Sequence, residues 1–425
     1  MTQNGIGTTA KHSADILMKV LEINKYHYLK GGVDTVFFNT IRLLEEMGND
    51  VCTFCTDNPK NTKSAFAKYF THAPELRDQS TVEKIKNMGT FFWNKDSEKK
   101  IEQLINQEKP EIAHLHNIFN GISMSILPVL HRHNIPVVIT MHDTRFVCPS
   151  SLFNTRGNKC KNCLKFGGLP CGLFKCYQDN FINSWVCAFE MFQKEKLFDY
   201  NRYIDRYIFV SKRFQDFHAE RHNYFRDKGT ILHNFMPGMR EITPCHTHDG
   251  YMLFYGRITE EKGIAALISA IRDLPGIKLR VVGDGPLRES LERQAPANVA
   301  FLGFKKGKEL FEQVRHASFV IVPSECEDNN PLTIIEAYSH GKPVIGSITG
   351  GIPEIVTPDT GFLFEMGNVE ELKHCIIKAN AINAETYRQM SVASRNFALS
   401  NFSPEIHYKK LMDIFNETIA SHEDI

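Results

Sequence analysis

The stretch EDNNPLTIIEAYSHGKPVIGSITGGIPEIV, residues 327–356, changes character every few positions. A polar knot, Glu327-Asp328-Asn329-Asn330-Pro331, opens into an apolar run through Leu332, Ile334 and Ile335, and a second carboxylate, Glu336, stands eight positions after Asp328. Behind it come PVIGS (343–347) and Gly350-Gly351; ahead of it lies ASFVIVPS (317–324). Unbroken apolar strand, polar loop, helix, second apolar strand is the pattern of a parallel sheet covered on both faces.

Within that frame the polar residues acquire a use. Pro331 suits a helix start, where its missing N–H costs nothing, and Asp328, Asn329 or Asn330 would cap the helix. The free amides of Leu332 and Thr333 and the positive helix end then face an anion. Glu336, one turn further in, is oriented to accept hydrogen bonds from hydroxyls, and Asp328 reaches hydroxyls at the ligand's other end. Carboxylate, anion-holding helix end, carboxylate is a layout for sugar, diphosphate and ribose. A solvated loop with Glu336 on a helix surface is the plainer reading, and so many signals in register weigh against it. Gly350 and Gly351 keep the following backbone close and free of bulk.

The same alternation extends in both directions. The second half continues with YMLFYG (251–256), KLRVVGDG (278–285), VAFLGF (299–304) and GFLF (361–364), with helical GIAALISAIRDL (263–274) and KELFEQVRHA (308–317) between strands. The first half reads KVLEIN (19–24), DVCTFCT (50–56), IAHLHN (112–117), PVVITMH (136–142) and RYIFVS (206–211), with helical TVFFNTIRLLEEMG (35–48) ending at Gly48. FMPGMREITPCHTHDG (235–250) breaks both patterns and reads as a linker. At 425 residues the chain exceeds one typical core. The expectation is an α/β protein of two doubly wound parallel-sheet domains, 18–234 and 251–403, joined by 235–250. A last helix within 404–425 packs back toward the first domain. Such sheets bind ligands at the carboxyl ends of their strands, so two of them face to face make a cleft.

Two loops at strand ends carry anion-binding residues. YHYLKGGVDTVFFN places Gly31 and Gly32 where a strand gives way to a helix, either as a plain turn or to let backbone amides approach an anion. FYGRITEEKGI ends a strand at Gly256 and brackets the loop with Arg257 and Lys262. That pair suits a diphosphate, or else pairs with Glu260 and Glu261. VVGDGPLRESL fails as a GxGxxG fingerprint because Arg288 occupies the third glycine position, which weakens a hydride-transfer reading.

Composition sets the class. The apolar and charged fractions are those of a folded globular chain. No apolar run approaches the ~18 residues that span a bilayer. The opening MTQNGIGTTAKHSADIL lacks the layout of a secretion signal, so a cytoplasmic location is expected. The net charge of +1 hides an asymmetry of about +8 over residues 1–240 and about −7 over residues 241–425. Arg156, Lys159, Lys161, Lys165 and Lys175 form one basic cluster, either a solvated face or a peripheral contact with an anionic membrane. Neither half is lopsided enough for nucleic acid. His114 and His116 alternate on a strand; with no carboxylate or third histidine nearby in sequence, packing or acceptor contact outweighs a metal pair.

Taken together, Gly31-Gly32, His142-Asp143, FVS (209–211), HNF (233–235), GRITEEKG (256–263), VVGDGP (281–286) and DNNPLTIIEA (328–337) resemble the retaining glycosyltransferases of family 4, whose GT-B fold sets two Rossmann-like domains across a cleft. The resemblance runs from Met18 to about Tyr408. It implies transfer of a hexosyl unit from a UDP- or GDP-sugar to a glycan or lipid-linked acceptor in surface polysaccharide synthesis. It implies retained configuration and no catalytic metal. The acceptor would attack from the leaving-group side, with the diphosphate taking its proton. By that pattern Arg257 and Lys262 hold the diphosphate beside the Leu332 and Thr333 amides, Glu336 binds the ribose, Asp328 the sugar hydroxyls, and His142 lies near sugar and acceptor. Two positions depart from it. Asp328 stands where Glu is usual, with Glu327 one residue early as a substitute, and Pro331 replaces a glycine and removes one amide. These departures keep a non-catalytic GT-B partner open beside a GT-B nucleotide-sugar epimerase.

Eleven cysteines without a secretion signal argue against a disulfide framework. Cys148, Cys160, Cys163, Cys171, Cys176 and Cys187 crowd one segment, and a CxxC flanked by further cysteines suits a four-thiolate structural zinc or a set of free or buried thiols. Similar inserts in a subset of the family point to Cys148, Cys160, Cys163 and Cys176, with Cys171 as an alternative. Cys52 and Cys55 read as core residues on opposite faces of a strand.

Overall fold

The computed structural model describes residues 17–73, 89–119, 121–151, 153–155 and 158–423. The first half builds a six-stranded sheet from β1 (Lys19–Ile23), β2 (Asp50–Phe54), β3 (Ile112–Leu115), β4 (Val137–Met141), β7 (Arg206–Phe209) and β8 (Gly229–Ile231), in the order β2-β1-β3-β4-β7-β8. Between β4 and β7 sits a two-stranded hairpin, β5 (Asn154–Thr155) with β6 (Asn158–Lys159). The second half builds another six-stranded sheet from β9 (Tyr251–Tyr255), β10 (Lys278–Val282), β11 (Val299–Phe301), β12 (Val320–Val322), β13 (Val344–Ile348) and β14 (Gly361–Glu365), ordered β11-β10-β9-β12-β13-β14. All pairings within both six-stranded sheets are parallel. Two GT-B-type Rossmann-like domains are therefore present.

The strands are largely apolar because helices cover both of their faces. Val20, Leu21 and Ile23 of β1 are fully buried, and all of Tyr251–Tyr255 is buried in β9. Each sheet reverses its winding once, between β1 and β3 and between β9 and β12. Those reversals open crevices at the strands' carboxyl ends, where α/β sheets take ligands.

The halves are tied in two ways. The C-terminal helix, Pro404–Glu423, crosses back onto the first sheet. Its Tyr408, Leu411, Met412 and Phe415 are buried with Met18, Val20, Leu44 and Ile112, and each such side chain contributes roughly 1.5–3 kcal/mol. Asn49 Nδ2 donates to the Tyr408 hydroxyl at 2.9 Å. Segment 235–250, expected as a linker, lies against the second half. Met239 is buried, and the Arg395 guanidinium donates to the carbonyls of Ser339, Met239 and Ile242. Among the described residues no helix is long and apolar enough to cross a membrane.

Candidate active site

The loops leaving β9, β10 and β12 meet at the second crevice. Gly283 has φ +142°, and a Cβ there would stand 1.9 Å from the Gly256 carbonyl oxygen. The VVGDG motif thus serves the close stacking of two loops. Gly350 and Gly351 act likewise, since Cβ atoms there would meet the Asp328 and Asn329 carbonyl oxygens at 2.1 and 1.9 Å. The space those glycines leave is filled by the polar knot itself.

Two predicted cations take different positions. Lys262 Nζ pairs with Asp328 Oδ2 at 2.6 Å, and Ser324 Oγ donates to the same oxygen at 2.8 Å. Burial disfavours the Lys262 ammonium, yet Asp328 outweighs it and holds the pKa above its ordinary value. Arg257 is exposed and pairs with Glu261 at 3.3 Å. Glu327 points elsewhere, accepting from the Gly350 amide at 2.8 Å with Arg213 Nε 3.6 Å away. Lys262 and Asp328 thus come together, and Glu327 faces the other side of the loop.

The helix Leu332–Ser339 begins with Pro331 as its N-cap residue, and no side chain caps it. This corrects the expected cap from Asp328, Asn329 or Asn330. Asn330 is committed to the other half, where its Oδ1 accepts from the Asn234 amide at 2.8 Å and its carbonyl from Asn234 Nδ2 at 3.0 Å. Asn329 Nδ2 donates to the His142 carbonyl at 3.4 Å. The Leu332 and Thr333 amides therefore stand at an uncapped, positive helix end.

Glu336 lies behind that end. Burial lifts its carboxyl to about 7, and the Tyr255 hydroxyl beside it offsets only part of that rise. The Tyr255 O–H already donates to the Thr333 carbonyl at 2.9 Å. Glu336 is a half-buried carboxyl, and among the described residues Tyr255 is the hydroxyl that offsets its raised pKa. Tyr255 was missed in the sequence, where it looks like any strand-terminal aromatic.

The first crevice is built differently. Glu22 of β1 is fully buried, and its two oxygens meet His114 Nδ1 at 2.8 Å and His116 Nε2 at 2.9 Å. His114 Nε2 meets Thr140 Oγ1 at 2.7 Å, and His116 Nδ1 meets His142 Nε2 at 2.9 Å. Burial alone would raise the Glu22 carboxyl, but His114 and then His116 hold it at about 2. The network assigns the tautomers. Ionised Glu22 takes a proton-bearing nitrogen from each imidazole, so His116 Nδ1 is a lone pair that accepts from His142 Nε2–H. Burial and the neighbouring histidines push the His142 pKa well down. Neutral His142 is left with Nδ1 as a hydrogen-bond acceptor. Direct hydrogen bonds account for each of these atoms, although the Glu22, His114 and His116 donor atoms lie within 4.8 Å of one another, a spacing that a metal also tolerates. The carboxylate absent from the local sequence arrives from a neighbouring strand.

Gly31 and Gly32 are exposed, with open space where side chains would be. Asp34 Oδ2 takes the Gly31 amide at 3.0 Å, so that amide is already used. The cysteines of 148–176 share one neighbourhood. Burial first, and then Cys148, Cys176 and Cys160, push the Cys163 thiol up to about 12. Among the described residues no three of these sulfurs lie within 4.8 Å of one another, so they do not form a set tetrahedral site. Cys52 and Cys55 are both buried.

Comparison with known proteins covers the chain in two blocks. Residues 30–237 match the family model described as Glycosyltransferase Family 4, and residues 238–397 match Glycosyl transferases group 1. A sulfoquinovosyl transferase of Arabidopsis thaliana is 35% identical over 182 residues, 40% of this chain and 35% of that protein. That match thus spans about a third of the relative's length. An uncharacterised glycosyltransferase of Methanocaldococcus jannaschii is 22% identical over 88% of this chain and 91% of its own. The crystal structure of HepE from Anabaena, in complex with UDP and glucose, superposes with a TM-score of 0.63 at 14% identity, over 94% of this chain and all of that one.

Proposed function

Because the chain belongs to the group 1 and family 4 glycosyltransferases, we propose that it transfers a hexosyl unit, with retention, from a UDP- or GDP-sugar to a glycan or lipid-linked acceptor in surface polysaccharide synthesis. The donor lies in the second crevice, its ribose on Glu336, its diphosphate among Arg257, Lys262 and the Leu332 and Thr333 amides, its sugar on Asp328. The observation that carries this reading is Glu336, a carboxyl held near 7 behind an uncapped helix end. A half-buried acid with a raised pKa is matched by a vicinal diol, and the helix end by the phosphates beside it.

In this reading Lys262 exchanges its Asp328 partner for a phosphate oxygen, which frees Asp328 for sugar hydroxyls. As the sugar–oxygen bond breaks, charge grows on the diphosphate, and Lys262, the exposed Arg257 and the helix end stabilise it; such electrostatics are commonly the largest catalytic term. The acceptor hydroxyl attacks from the same side and passes its proton to the departing diphosphate oxygen. His142 Nδ1, fixed as an acceptor by His116 and Glu22, orients a hydroxyl at the reacting centre. A zinc in the cysteine segment would order that segment without entering the chemistry, and its four thiolates would first have to draw together.

Calorimetric titration of UDP, GDP and ADP, with Glu336→Ala alongside, tests the proposal. One nucleotide binding in the micromolar range and lost in the variant is the expected result. No binding by the wild type overturns it and leaves a non-catalytic partner, while release of an altered monosaccharide without acceptor marks an epimerase.

A further inference from the structure

Among the described residues, nine of the fifteen exposed large apolar side chains fall between Phe166 and Leu197, on one flank of the first half. The helix Phe181–Phe192 explains the concentration. At about 100° per residue, Phe181, Ile182, Trp185, Phe189 and Phe192 share one arc. All but the half-buried Trp185 are exposed, whereas Ser184, Cys187, Ala188 and Met191 on the other side are buried. The neighbouring helix Leu169–Phe174 packs on it through Gly172 against the Trp185 ring and leaves Leu169, Leu173 and Phe174 exposed.

The charge around this face is predominantly positive. Lys161, Lys165, Lys175 and Lys196 are exposed, Lys161 with the Glu220 carboxylate 3.8 Å away. Of the carboxylates between 161 and 197, Glu190 pairs with Lys194 and Glu195 with Arg221 and His222, leaving Asp179 as the exposed acid. Arg156 lies outside the described residues, as does the Lys159 side chain. Lysine is depleted from protein–protein interfaces, and a second copy would set lysine against lysine. Aromatics with lysines at their margin match the boundary of an anionic bilayer, where rings enter the headgroup layer and ammoniums meet phosphates.

We propose that this aromatic face, centred on the helix Phe181–Phe192, seats the protein on an anionic lipid bilayer. It deepens the reading of a lipid-linked acceptor and rests on that reading for its purpose. Aromatic contacts lead from the face toward His142. Phe189 meets Phe92 at 5.2 Å, Phe92 and Phe119 line one cavity, and Phe119 also lines a second cavity with His142.

The test is co-sedimentation of the full chain with phosphatidylglycerol or phosphatidylcholine vesicles, with UDP and GDP titrations run on the same preparations. Expected is binding to phosphatidylglycerol vesicles with a blue shift of tryptophan emission. It should fall at least about tenfold in Phe181→Ser/Ile182→Ser/Phe189→Ser and weaken in Lys165→Glu/Lys175→Glu or at about 0.5 M salt. Nucleotide affinity and melting temperature should hold in these variants. Equal binding to both vesicle types, or none, overturns the proposal, and retained nucleotide affinity then shows that the glycosyl-transfer reading survives. A dimer that the triple variant abolishes, without vesicle binding, assigns the face to a second copy and also overturns it.

Discussion

The two crevices occupy equivalent places in their sheets, one around the fully buried Glu22 and the other around the half-buried Glu336, and those carboxylates are opposites. Glu22 has two imidazoles and sits at about 2; Glu336 has one hydroxyl that is otherwise engaged and sits at about 7. Burial pushes both upward, so the difference lies in the partners each strand order delivers. The first crevice is electrostatically complete and holds His142 in one state. The second is incomplete without a ligand. A shared fold therefore says where to look, and the satisfaction of the buried charge says which crevice is waiting for something.

Removing the completed charge should cost most. Glu22→Ala leaves His114 and His116 buried without their acceptor, and breaking a buried pair this way destabilises by roughly 3–5 kcal/mol, readable by urea unfolding at pH 7. The pH dependence follows from the direction of the shift. A carboxyl lowered from 4.5 to about 2 contributes stability above the unfolded value, and that contribution fades as pH falls from ~4.5 to ~2. If Glu22→Ala unfolds at wild-type urea at pH 7, the network is not a paired charge.

The incomplete charge should respond with the opposite sign. Glu336 is raised from 4.5 to about 7, so the folded state resists its ionisation and loses stability as pH rises through that window. Glu336→Gln should stabilise the ligand-free protein by up to about 3 kcal/mol at pH 8 and not at all at pH 4, while nucleotide affinity falls. Stabilisation that persists at pH 4 would mean that a packing change, and no buried ionisation, separates the two crevices.

Much of the fold was open to reading because most strands are short, largely apolar runs and many of the loops between elements carry a glycine or proline. The helix with Glu336 was legible for the same reason, its carboxylate standing one turn behind Pro331. Glu22 was not, since it sits inside the apolar run KVLEIN and its meaning depends on β1 lying beside β3, more than ninety residues away. The cap failed for a similar cause, because Asn330 is claimed by Asn234 across the cleft. For the aromatic face a local signal existed, the helical spacing of Phe181, Trp185, Phe189 and Phe192, but the cysteines around it drew attention to metal binding instead.

A link between the crevices gives a smaller effect. His116→Leu removes the acceptor that fixes His142 Nε2–H, so His142 is free to turn or exchange tautomer. Steady-state kinetics should show kcat about 10–100-fold lower with nucleotide affinity unchanged, the size usual for orienting partners. An equal loss in nucleotide affinity would instead make His116 a support of the fold as a whole.

The smallest change separates Glu336 from its neighbour. Tyr255→Phe deletes the hydroxyl that donates to the Thr333 carbonyl and that lowers the Glu336 pKa, and it leaves the ring in place. One neutral hydrogen bond is worth about 1 kcal/mol, so nucleotide affinity should weaken only about fivefold. The direction of the pH effect is more telling than its size. With that hydroxyl gone, Glu336 should titrate still higher, and the pH at which nucleotide binding changes should move up with it. An unchanged pH profile would mean that Tyr255 acts only on the helix end through Thr333, leaving burial alone to set the charge of the second crevice.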